Sequence, residues 1–181
     1  MHASAPLLER LTTRYSSTED RMRVAGALPD GQPVVLWMTQ RLLLRLLPRL
    51  FQWLETHGVG PSSLVEAATP ALYYDAIQSF AQQAALQQLV PQPPVHTPAQ
   101  TPQALVESVS VGQSPACVHL VLKDAADSLH VGLALGAQPL RQWLAILCRQ
   151  WLEAQWPMDV WPAWLQETVL QSGHDAAGIT H

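Results

Sequence analysis

Residues 21–55, RMRVAGALPDGQPVVLWMTQRLLLRLLPRLFQWLE, and residues 117–153, CVHLVLKDAADSLHVGLALGAQPLRQWLAILCRQWLE, read alike. Each runs strand, turn, strand and apolar helix. The helices end in the same four residues, Gln52, Trp53, Leu54 and Glu55 in one and Gln150, Trp151, Leu152 and Glu153 in the other. A hairpin alone leaves an apolar face that needs a neighbour. Two such segments about ninety-eight residues apart therefore predict an α+β fold. It consists of two ββα-like units, each an antiparallel hairpin followed by an amphipathic helix, joined through a helical region and a Pro-rich linker. Leu36, Leu42, Leu46 and Trp53 are expected to correspond to Leu133, Leu140, Leu144 and Trp151, with a one-residue slip between strand and helix.

Working outward, residues 5–15 read as a short helix with Leu7, Leu8 and Leu11 on one side. Asp30-Gly31 suits the positive φ values of a two-residue hairpin turn. That loop length would put Met22, Val24, Gly26 and Leu28 on one face with Val35 and Trp37, and Ala25 on the other with Val34, Leu36 and Met38. Apolar groups on both faces imply a sheet covered on both sides or continued by another chain. Pro48 falls inside the helix Gln40–Glu55 and predicts a kink or a new start. A second helical region, about Pro70–Val90, is expected to bury Leu72, Ile77, Phe80, Ala84 and Leu89 and to solvate Gln82, Gln83, Gln87 and Gln88.

The stretch from Pro91 to Pro102 has five prolines and no periodicity, and reads as an extended linker. Three strands follow, about Leu105–Val111, Ala116–Leu122 and Ser128–Leu135. Helices at Pro139–Gln155 and Pro162–Gln171 complete the pattern. The division is an N-terminal half, 1–90, a linker, 91–103, a C-terminal half, 104–172, and a disordered tail, 173–181; a single pseudo-symmetric domain is the alternative.

With 48% hydrophobic and 13% charged residues in 181, little of the surface can be covered by ionised groups. Some apolar surface is left for a partner. Seven arginines against five carboxylates in residues 1–55 give +2, and the remainder carries −6. Neither total makes nucleic acid an expected partner. The N-terminus lacks a signal-peptide pattern, and the longest apolar stretch, Leu42–Leu54, is interrupted and too short for a membrane span. A cytoplasmic location is expected.

Three groups of residues could carry function. Cys117, His119 and His130 project from one face of the second hairpin, and sulfur with two imidazoles is a plausible zinc or copper set lacking a visible fourth ligand. No other cofactor is expected. Arg41, Arg45 and Arg49 form a stripe on one helix face that could meet phosphates or an acidic protein surface. Trp156, Trp161 and Trp164, separated by Pro157 and Pro162, cannot share a single helical face and could either anchor a partner or cap the open end of the domain's own core.

No nucleophile elbow, phosphate-cradling glycine loop or His-Glu-x-x-His is present in the sequence. The leading expectation is a non-catalytic interaction, adaptor or assembly protein with chaperone-like contacts, acting as a homo-oligomer or complex subunit. The alternative is a metal- or small-molecule-binding enzyme or sensor using the cleft between the halves.

Overall fold

The computed structural model describes residues 5–58, 71–126 and 128–177. The side chain of Leu72, assigned to the core above, and Asp127, assigned to a loop, lie outside what is described. Six strands form one sheet in chain order. They are β1 (Arg10–Ser16), β2 (Arg21–Ala27), β3 (Pro33–Met38), β4 (Gln103–Gln113), β5 (Val118–Asp124) and β6 (His130–Leu135). Among the described residues four α-helices accompany them: α1 (Gln40–His57), α2 (Ala71–Gln87), α3 (Ala137–Glu153) and α4 (Ala163–Ala177). The order strand, strand, strand, helix thus occurs twice: the three strands expected in the C-terminal half are there, and the N-terminal half, expected to hold only a hairpin, has a third.

The additional strand is β1, in the segment expected to be helical. Its Thr12, Thr13 and Tyr15 favour a pleated, half-buried surface, and it pairs with β2 from Arg10↔Ala27 to Ser16↔Arg21. Four of the five neighbour pairs are antiparallel, and β3 runs parallel to β4 through Val35↔Gln103, Leu36↔Ala104 and Trp37↔Leu105. A second parallel contact joins the sheet's ends. Leu8 N donates to Gly132 O and Gly132 N donates to Pro6 O, each at 2.8 Å, so the chain entering β1 meets β6. Leu8 then lies over Gly26, where a Cβ would come within 2.6 Å of its Cδ1.

One face of every strand and the apolar stripes of α1 and α3 share a single core. From β3 to α1 and from β6 to α3 the spacing stays at 97 residues without a slip: Leu36, Leu43, Leu47, Leu50 and Leu54 are buried, as are Leu133, Leu140, Leu144, Leu147 and Trp151. Trp53 therefore aligns with Gln150 rather than Trp151. Thr39 begins α1 by accepting from Leu42 N at 3.2 Å. The helix runs through Pro48 unbroken, because Pro48 and Leu44 face solvent, where the carbonyl that loses its amide partner can be hydrated.

The first hairpin corrects the face assignment. Leu28 N donates to Gln32 O at 2.9 Å, leaving three residues in the loop, with Gly31 at φ 82°. A loop longer by one residue reverses which β3 side chains accompany Val24, so Val24 pairs with Leu36 on the core face and Ala25 with Val35 on the outer one.

The outer face is covered by the Pro-rich segment itself. Val95 is buried against Ala25 and Val35, Val95 N donates to Thr12 Oγ1 at 2.9 Å, and Arg23 Nη2 donates to Thr97 Oγ1 at 2.7 Å. The segment expected to be a linker is a strap across the first three strands. At the other end of the chain, α4 continues through Ala177 into residues assigned to a disordered tail.

Candidate functional site

The three C-terminal tryptophans are core residues: Trp156, Trp161 and Trp164 are 8%, 3% and 2% exposed. The prolines that break the helical face let the chain fold back instead of outward. Gln155, at φ 56°, reverses the chain after α3; its N–H donates to Leu152 O, and Trp156 N donates to Trp151 O. This is the double bond of a left-handed helix stop. It sets Trp156 edge-on to Trp151, with Trp161 5.6 Å from both Trp151 and Phe51. The exposed aromatic patch that a partner anchor requires at these positions is absent, since the patch closes the domain's own core.

Cys117, just before β5, and His119, on it, come together, with Sγ 3.0 Å from Nε2. His130 does not join them. Its cross-strand partner is Lys123, whereas that of His119 is Ala134, so the imidazoles are separated by four rungs, about 13 Å. Among the described residues no three His, Cys, Asp or Glu side chains are grouped to hold a metal ion. At the junction proposed for a cleft, β3 and β4 are joined by their ladder.

Arg41, Arg45 and Arg49 are exposed on α1 as the periodicity requires. Arg45 and Arg49, with Leu42, Leu44, Leu46 and Pro48, form one wall of a groove of about 580 Å³ whose other wall is Glu107, Ser108, Val109 and Val111 of β4.

On α2 and the residue after it the sequence reading fails at Phe80 and Gln82, while Gln83, Gln87 and Gln88 are exposed as expected. Gln78 and Gln82 are fully buried, while Phe80 is 75% and Tyr73 59% exposed. The glutamines face inward because α3 presents polar groups to them: Gln82 Nε2 donates to Arg141 O at 3.0 Å, Arg141 Nη2 donates to Gln78 Oε1, and Gln142 Nε2 donates to Ala85 O at 2.8 Å. Arg141 is 2% exposed. Its guanidinium lies 5.3 Å over Trp164, and its Nε and Nη1 have no hydrogen-bond partner among the described residues. Burial pulls it down from 12.5 to about 10, opposed by nearby Tyr74. Burial also pushes Tyr74 up, with Glu55 adding to the shift, and pushes Glu55 up, with Asp75 adding there.

Tyr73 and Phe80 are seven residues apart, so they share a helix face about 10.5 Å apart. That spacing was legible; which face would be buried was not, because it depended on Arg141 sixty residues on. No family model, curated protein or solved structure matches the chain.

Proposed function

We propose that the chain is a non-catalytic protein-contact module, an adaptor or assembly factor, that associates with a second copy of itself through α2. The observation carrying this reading is the outward face of α2, where Tyr73 and Phe80 stand exposed with Ala76 between them and Ile77 half-buried beside it. Aromatic residues in contiguous exposed apolar surface mark association sites. Asp75 is the only ionised side chain on the described part of the helix, so a copy meets little like-charge repulsion.

The face is self-complementary. In an antiparallel pair of α2 helices, Phe80 of one copy lies over Tyr73 of the other and the reverse, which is the isologous contact that closes a dimer. Sedimentation velocity tests it: the protein runs as a dimer, and Phe80→Ser with Tyr73→Ser runs as a folded monomer whose melting temperature no longer depends on protein concentration. A wild-type monomer at every concentration tested contradicts the proposal.

A further inference from the structure

We propose that the groove between α1 and β4 docks an extended acidic segment of another protein, which adds to β4 as a further strand. This surface is separate from α2 and does not depend on self-association. β3 pairs with β4 only through Gln103, Ala104 and Leu105. The rest of that edge runs past the end of β3 and faces α1. Pairing with β5 occupies alternate backbone groups of β4, and the others point to the opposite edge. Among the described residues, α1 bonds this edge only at its end, where Trp53 Nε1 donates to Ser114 O at 2.9 Å. An open edge beside a helix is the geometry that accepts an added strand, the main chain giving affinity and the helix side chains giving selectivity.

The lining selects the occupant. Leu46, Val109 and Val111 provide apolar contacts for every second side chain of an extended segment. Arg45 and Arg49 stand exposed along the helix wall, and neither is in an ion pair among the described residues. Glu107 is the one carboxylate in the lining, leaving a net positive groove. From Ser108, beyond the register shift at Glu107, to Gln113 the regular edge accommodates about six residues, or roughly 20 Å.

The corresponding groove between β1 and α3 is lined in part by an extended segment of the chain itself, one without a carboxylate. It is lined by Arg10, Arg14 and Arg149 and by the chain's own residues 88–94, the start of the extended strap. There the β1 edge is engaged by α3, since Tyr15 N donates to Gln150 Oε1 at 2.6 Å.

The test uses fluorescein-labelled peptides of about six residues alternating glutamate with valine, lysine with valine, or glutamate with N-methylated valine, read by anisotropy. The acidic peptide is expected to bind saturably and the basic one not. Reversing both charges with Arg45→Glu and Arg49→Glu should weaken the acidic peptide by about tenfold or more. N-methylation removes main-chain donors and should abolish binding. Phe80→Ser should leave binding unchanged, so a failure here is distinct from a failure of self-association. No saturable binding of the acidic peptide overturns the proposal, as does equal binding of the N-methylated peptide, indifference to charge reversal, or loss with Phe80→Ser. A labelled oligothymidine that binds in place of the acidic peptide also overturns it.

Discussion

Trp151 and Trp156 meet edge to face with ring centroids 4.8 Å apart, five residues apart in sequence, because Gln155 between them adopts φ 56°. The contact converts the end of α3 into a lid on the core. Trp156 Nε1 donates to Asp20 Oδ1 at 3.1 Å and Tyr15 packs on the Trp156 ring, which ties this reversal to the β1–β2 turn.

A left-handed conformation is costly for a residue with a Cβ and nearly free for glycine. Gln155→Gly should therefore raise unfolding stability by about 1 kcal/mol. Gln155→Val should lower it. Urea unfolding of the two variants reads both signs, and equal stabilities would show that Gln155 is not strained.

Arg141 carries charge into the interior with one amide and the face of Trp164 as its described partners. An uncompensated buried charge is often less stable than an apolar side chain of similar volume. Arg141→Met together with Gln78→Leu, which removes the amide otherwise left without its partner, should stabilise the fold by about 1 kcal/mol or more, measured by urea unfolding. A loss of about 3 kcal/mol would instead be the signature of a broken buried ion pair.

Cys148 is fully buried, and burial pushes its thiol up from 9.0 to about 12. The sign follows from proton counts: above pH 9 the unfolded chain releases this proton while the folded one keeps it, so stability falls as pH rises from 9 toward 12. By pH 10 the loss amounts to about 1.4 kcal/mol. Unfolding curves for the wild type and Cys148→Val should diverge by that amount between pH 8 and pH 10. Parallel curves would place the thiol's titration at its ordinary value.

The second half of the sheet was readable because Val118, Leu120, Leu122, Val131 and Leu133 recur at every second position of their strands, and all five are buried. The first half was harder. Leu7, Leu8 and Leu11 mimic a helical stripe, yet Leu7 and Leu8 point to opposite sides of an extended chain, 46% and 7% exposed. One residue in the Leu28–Gln32 loop decided which β3 side chains entered the core. The functional surfaces were least legible. Arg45 and Arg49 were found by periodicity, but the β4 edge opposite them depends on where β3 ends, and α2 displays Phe80 because Gln78 and Gln82 satisfy Arg141 and its backbone.

A cross-link at the axis of the pair reports whether the outward face of α2 meets its own copy. Ala76 lies close to midway between Tyr73 and Phe80 and is exposed. In an antiparallel pair it approaches its equivalent within reach of a disulfide, whose Cα atoms lie about 4.4 to 6.8 Å apart. With Cys117 replaced by serine and Cys148 buried, Ala76→Cys is the sole accessible thiol. Mild oxidation should give a covalent dimer much faster from Ala76→Cys than from Glu167→Cys on α4. Equal, slow cross-linking at the two positions would contradict the account.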